Sequence, residues 1–178
     1  MSKLRETIKH TIHARKNGHS GLFTKDDFAL MLNCSATMSL SKFLHGATQS
    51  DTLERVCQGV YINPLFPPEP KGLLVRLAAI LHWNKFIYIS LESQLSYIGR
   101  ISQIPMNRLT IITTGRSGNI KTRYGVIEFI HTNASIESLN NQVYYDPELK
   151  IFRANEAQAI RDLRKSKRNV QMLTENEE

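Results

Sequence analysis

The sequence predicts an α+β protein built in two parts. Three observations carry that prediction: a proline cluster at residues 63–70, helical apolar spacing and a hairpin pattern ahead of it, and interleaved helix and strand patterns behind it. The segment Asn63-Pro64-Leu65-Phe66-Pro67-Pro68-Glu69-Pro70 holds four of the six prolines. Proline removes a backbone donor and pushes the preceding residue out of the helical region. Residues 64–70 therefore read as a linker or stiff crossing strand between a domain over 1–63 and a second over 71–178, with no internal repeat.

In the front part, Leu4, Ile8 and Ile12 recur at helical spacing from Lys3 to Lys16, and Asn17-Gly18 ends the pattern as a C-terminal cap. Thr24 ahead of Lys25-Asp26-Asp27 places a capping hydroxyl and two carboxylates at the positive end of a second helix, with Phe28, Met31 and Leu32 as its buried face. After a turn at Asn33-Cys34-Ser35, Ala36, Leu40, Phe43, Leu44 and Ala47 fall on one side of a third helix. The other side carries Ser35, Met38, Ser41, Lys42, His45 and Gln49. Two short apolar runs around a glycine, within Asp51 to Ile62, read as a hairpin. Three helices and a hairpin predict a winged helix-turn-helix. Small hydroxyls on the third helix allow close approach to a DNA groove, Lys42, His45 and Gln49 reach phosphates or base edges, and Arg55 and Gln58 serve as the wing. A polar helix face is equally what plain solvation produces, and winged helices also dock proteins.

Behind the prolines, Leu73 to His82 is a helix with a dense apolar face, and Phe86 to Ser90 is a β-branched and aromatic strand. Ser90 is expected to cap a helix through Glu92 to Ile98, closed by Gly99. Leu109 to Thr114 and Tyr124 to His131 are two further strands. Between them, Arg116, Ser117, Asn119, Lys121 and Arg123 lie on a glycine-containing connector that could hold a sugar-phosphate backbone, or simply be a solvated loop. Ala154 to Leu173 reads as a last helix, with Ala157, Ile160 and Leu163 opposite the basic run Arg161, Arg164, Lys165, Lys167 and Arg168, able to lie on its own domain or pair with a copy. Thr174 to Glu178 is an acidic tail.

Charge narrows the function classes. The 23 Lys and Arg against 16 Asp and Glu leave a formal +7, which favours a polyanionic partner. Residues 71–131 are the most basic stretch, with 8 cations against 2 acids. No run approaches the roughly 18 to 20 apolar residues of a membrane span and no apolar signal core precedes the first helix, so a cytoplasmic location is expected. Cys34 and Cys57 are too few and too far apart for a zinc site or a disulfide framework.

Several pieces together carry a family resemblance. They are the front domain ending in Gly59-Val60-Tyr61, the stretch Tyr88 to Gly99, the strands Thr110 to Arg116 and Tyr124 to His131, and, less closely, Ala154 to Leu163. In that order and spacing the chain resembles the AbiEi antitoxins of type IV toxin–antitoxin (abortive infection) systems over nearly its whole length. The resemblance implies a non-catalytic antitoxin domain behind the winged helix. It further implies repression of the protein's own operon through inverted repeats in the promoter, matched by a homodimer on DNA, and neutralisation of a nucleotidyltransferase-like toxin without a stable complex. No residue carries over as the antitoxin site.

Catalytic patterns are absent. His10, His13, His19, His45, His82 and His131 form no metal-ligand set, Gly115-Arg116-Ser117-Gly118 lacks the phosphate-loop spacing, and no cofactor motif occurs. Glu92 is read as the acidic residue of a helix first turn, Glu128 as facing the less apolar side of a sheet, and Asp162 as part of a solvated charge run. Two rival readings remain. One is an RNA-binding accessory protein using the basic second domain. The other is a nuclease using Glu92, Glu128 or Asp162 with a divalent metal.

Overall fold

The computed structural model describes residues 2–102, 107–168 and 170–173. They form two compact units, Met1–Leu73 and Leu74–Glu178, one built around a three-stranded sheet and the other around a six-stranded one. The architecture is mixed α+β. The acidic tail expected over Thr174 to Glu178 lies outside the described residues.

The first unit opens with α1 (Lys3–Lys16), whose N-cap Ser2 accepts a hydrogen bond from the Arg5 amide. Its buried centre is Thr7 and Thr11, both 0% exposed, and the expected Leu4, Ile8 and Ile12 are only half-buried around it. Threonine is tolerated there because its hydroxyl bonds back to the preceding turn: Thr7 to the Lys3 carbonyl at 2.9 Å and Thr11 to that of Ile8 at 2.9 Å. The Thr11 oxygen also accepts from buried Asn63 Nδ2 at 2.9 Å. This ties the start of the proline segment back to α1. Arg15 extends the tie, donating to the Pro67 carbonyl and lying over the Phe66 ring. The prolines thus belong with the first unit, and the division falls at Leu73/Leu74 rather than across residues 64–70.

β1 (Phe23–Thr24) leads into α2 (Lys25–Met31) through a reciprocal capping box, in which Thr24 Oγ1 accepts from the Asp27 amide and Asp27 accepts from the Thr24 amide. α3 (Met38–Gln49) begins after Thr37 and buries Leu40, Leu44 and Ala47. Ser35 and Ala36, expected on this helix, precede it and are exposed. β2 (Glu54–Cys57) and β3 (Val60–Ile62) form the antiparallel hairpin. Gly59 sits at φ +78° in its turn, a conformation that suits glycine. β1 adds to the far side of β3, pairing Phe23 with Tyr61. Phe23, Phe28, Leu40, Leu44 and Leu53 make the core of this unit.

The second unit begins one residue into α4 (Leu73–Leu81) and continues through β4 (Ile87–Ile89), α5 (Leu91–Tyr97), β5 (Arg108–Thr113), β6 (Gly118–Thr122), β7 (Gly125–His131), β8 (Val143–Asp146), β9 (Ile151–Ala154) and α6 (Glu156–Lys165). The strand order is β6-β7-β5-β4-β9-β8, with β5/β7 and β4/β9 parallel and the other neighbours antiparallel. Tyr88, Ile112 and Ala154 on one sheet face pack with Leu95 of α5 and with Ala159 and Leu163 of α6. Phe129 stacks on His82 with ring centroids 3.9 Å apart. Gly125 starts β7 at φ +137°, where an added Cβ would lie 2.4 Å from the Asn107 carbonyl.

Four expectations for this unit are corrected. The connector over 116–123 is largely a strand, since β6 pairs along β7 from Gly118 to Thr122. The last helix ends at Lys165 and lies on its own domain, burying Gln158, Ala159, Asp162 and Leu163, with Ala157 exposed. Ser90 stands at the N-cap position of α5 without a side-chain capping bond. Its hydroxyl donates instead to Asp162 Oδ2 at 2.6 Å. Asp162 is consequently no solvated charge: it is 7% exposed and also accepts from the Tyr88 hydroxyl at 3.1 Å and Gln158 Nε2 at 2.8 Å. Burial raises the Asp162 carboxyl above the usual range, and the three donors hold it partly back.

Candidate nucleic-acid interface

A groove of about 470 Å³ opens on the first unit between the outer side of α3 and the hairpin, lined by Lys25, Ser41, His45, Thr48, Gln49, Arg55, Gln58, Gly59 and Tyr61. Five of the side chains singled out from sequence, Ser41, His45, Gln49, Arg55 and Gln58, converge here. The convergence follows from local structure. The residues at 41, 45, 48 and 49 share one side of a 3.6-residue helix because Leu40, Leu44 and Ala47 are drawn to the core on the other.

The hairpin supplies its share through an irregularity. The β2/β3 register shifts between Arg55 and Cys57, as in a bulge, and such an insertion re-aims the side chains beside it. Arg55 Nε donates to the Cys57 carbonyl at 3.3 Å, and the residue lines the groove. On α3, the Thr48 hydroxyl donates to the His45 carbonyl at 2.7 Å.

Three of the predicted residues are not brought in. Ser35 lies before the helix, Met38 projects at the helix start with 73% exposure, and Lys42 is exposed on α3 but does not line the groove. Four lining residues were not singled out from sequence as site residues: Lys25, Thr48, Gly59 and Tyr61. The sequence does hold a signal for Lys25, the first residue after the Thr24 cap, where a cation stands beside the free amides of a helix start. The pattern around Tyr61 signals only a strand.

The second surface singled out from sequence does not converge. Arg116 and Arg123 flank the two ends of β6, and at about 3.3 Å per strand residue they stand roughly 20 Å apart, too far to hold one phosphate together. Ser117 Oγ accepts from the His131 amide at 2.8 Å, Asn119 pairs across from Glu128 and Lys121 from Val126, and Arg123 lies over the Tyr124 ring.

The acidic residues of the second unit are engaged within it. Arg168 reaches Glu92 at 2.8 Å and also Glu128, while Arg108 reaches Glu128 at 2.9 Å. Burial alone would lower the Arg168 guanidinium, but the two carboxylates outweigh it and raise it above its ordinary value. Arg153, 5% exposed, is bonded to Asp146 at 2.7 Å and Gln94 at 3.0 Å and lies over the Tyr97 ring. That bond holds the Asp146 carboxyl below the usual carboxylate range. Among the described residues no group of His, Cys, Asp and Glu is arranged to hold a metal ion, and no helix is long and apolar enough to cross a membrane.

No family model matches the sequence. No curated protein matches it either. Among solved structures the chain is similar to the crystal structure of the RV2827C protein from Mycobacterium tuberculosis, with 16% identity and a TM-score of 0.48, over 82% of this chain and 50% of that one. The chain thus spans about half the length of that protein.

Proposed function

We propose that the protein is a DNA-binding repressor whose first unit is a winged helix-turn-helix, with α3 as the groove reader and the β2/β3 hairpin as the wing. The observation that carries this reading is the groove in which Ser41, His45 and Gln49 of α3 face Arg55 and Gln58 of the hairpin. Hydroxyl and amide groups suited to base edges lie beside cations suited to phosphates, which is the division of labour that sequence-specific DNA binding uses. The +7 charge supports the same partner class.

The second unit is assigned the antitoxin role that the AbiEi resemblance implies. The protein would then repress its own operon as a homodimer on promoter inverted repeats and counter a nucleotidyltransferase-like toxin in the cytoplasm without a stable complex. The carboxylates that a nuclease would need are otherwise occupied: Glu92 and Glu128 are paired with Arg168, and Asp162 is buried under three donors. That pairing supports a non-catalytic reading.

The test is a titration of the full chain on the DNA upstream of its gene and on unrelated DNA of equal length, at two salt concentrations. Preference for the upstream fragment that persists at the higher salt is expected. Equal, salt-labile binding to both would overturn the repressor reading. A His45→Ala, Arg55→Gln variant is expected to lose promoter binding and still protect cells that express the toxin, since the two tasks are assigned to different units.

A further inference from the structure

We infer that the second unit carries a stacking platform for single-stranded RNA on the part of its sheet that α6 leaves uncovered. The strand register puts Tyr145, Phe152 and Tyr88 side by side on one face, since Tyr145 pairs with Phe152 and Phe152 with Tyr88. Coverage differs along that row. Tyr88 is 1% exposed, its hydroxyl held by Asp162 of α6, whereas Phe152 is 37% and Tyr145 51% exposed. Phe86 completes the cluster, its ring 5.3 Å from that of Phe152, which in turn lies 5.3 Å from Tyr145. Three aromatic rings are thereby fixed against one another on a rigid sheet, two of them open to solvent. Among the described residues the outer edge of β8 has no neighbour in the strand order, so no described strand closes the platform on the Tyr145 side.

Charge on the same face selects the occupant. α6, packed on this same face, leaves Arg161, Arg164 and Lys165 exposed. Arg161 reaches the Gln142 side chain, next to the first residue of β8, and Lys165 lines a cavity over Ile112 and Ile130, which continue the Tyr88 row across the sheet. Open rings that share a sheet face with the cations of α6 match a polymer with flat bases and a phosphate backbone, each base stacking on a ring and the backbone following the charges. A docked protein helix would call for aliphatic partners rather than this row of cations. RNA is the form in which unpaired bases are regularly presented, in loops, bulges and ends, whereas duplex DNA keeps its bases inside the stack. This surface is separate from the α3 groove, and its ligand does not depend on the repressor reading.

The experiment measures fluorescence anisotropy of a labelled mixed-sequence RNA of about 12 nucleotides, single-stranded, with the full-length chain. The same sequence as single-stranded DNA and as RNA duplex provides the other arms. The variant is Tyr145→Leu with Phe152→Leu, which removes both rings while keeping apolar bulk; circular dichroism and an unshifted thermal melt verify that it is folded. Single-stranded RNA is expected to bind best, and the variant to bind it at least roughly tenfold more weakly, as the loss of a stacked base predicts. Undiminished binding by the variant would assign the RNA to the basic surface alone and overturn the platform. Tighter binding of the single-stranded DNA or of the duplex, or no binding of RNA at all, would overturn the inferred ligand.

Discussion

The α3 groove can be tested through its charges. Lys25 and Arg55 line it, whereas Lys42 is exposed on the same helix and does not. If each lining cation meets one phosphate, replacing both with glutamine removes two counterion-release terms, each worth about 0.9 in the slope of log K against log salt. At ~0.1 M salt the lost slope of about 1.8 corresponds to roughly 60-fold weaker binding, and at ~0.2 M to roughly 18-fold. The deficit therefore shrinks as salt rises, which a misfolded or partly active preparation would not reproduce. Anisotropy titrations of the upstream DNA across a salt series give the slope directly. Lys42→Gln, carried in parallel, is expected to change it by less than half of one contact's worth. A normal slope for Lys25→Gln, Arg55→Gln together with a reduced one for Lys42→Gln would refute the groove as the binding surface and place DNA across the outer edge of α3.

The remaining predictions concern specificity and the fold. Gln49→Ala is expected to flatten discrimination among operator variants by about 1 to 3 kcal/mol at one base position with the salt slope unchanged, read from competition titrations. Asp162→Ala strands the donors of Tyr88, Ser90 and Gln158; at about 1 to 3 kcal/mol for an unsatisfied buried group, the second unit should melt several degrees lower while DNA binding by the first is kept. Gly125→Ala sets a Cβ against the Asn107 carbonyl at positive φ, with an expected loss of at least about 1 to 3 kcal/mol in urea unfolding of the same unit. His19 is pushed below its ordinary value by burial, with its ring stacked on Phe23 and its Nδ1 accepting from the Gly21 amide. The unfolded chain takes up that proton first, so stability of the first unit falls as pH drops from 6.5 towards the lowered folded value. A His19→Phe variant should show a flatter pH dependence of melting in that window.

The sequence was most legible where local chemistry decides the structure. The Thr24-to-Asp27 box, the Gly59 turn and the helical spacing of Leu40, Leu44 and Ala47 each act over a few residues, and each produced an element within about three residues of its expected bounds. Long-range partners were not legible. β8 and β9 were missed because Val143-Tyr144-Tyr145-Asp146 and Ile151-Phe152-Arg153-Ala154 are short and mixed, and only pairing with each other and with β4 makes them strands. Thr7 and Thr11 look like a polar stripe until Asn63, 52 residues on from Thr11, supplies a buried partner. The groove divides the same way. Its α3 side follows from periodicity, whereas Lys25 and Tyr61 join it only because β1 folds onto β3.

Asp162 shows why such a miss matters for function. Read along the chain, it stands beside Arg161 and near Arg164 and looks like one more exposed charge. In the fold it sits one helical turn after Gln158 on the buried side of α6, and Ser90 gives up its capping role to donate to it. A buried carboxyl held by a serine and a tyrosine hydroxyl has the components of an acid–base site, so its accessibility decides its meaning. Its Oδ2 already accepts from Ser90 and Tyr88 and its Oδ1 from Gln158, and neither Ser90 nor Tyr88 is more than 1% exposed. Asp162 itself lines the cavity that Lys165 and Arg168 border, whereas Ser90 and Tyr88 do not, and the core that Ala159 and Leu163 share with Leu95 holds α6 over them. The three hydrogen bonds fasten α6 to the sheet. The same fastening keeps Arg161 and Lys165 in place on the sheet face that carries Phe152 and Tyr145, so Asp162→Ala should also weaken single-stranded RNA binding while Gln49→Ala leaves it unchanged. RNA binding that survives the loss of Asp162 would mean that the rings hold the ligand without help from α6.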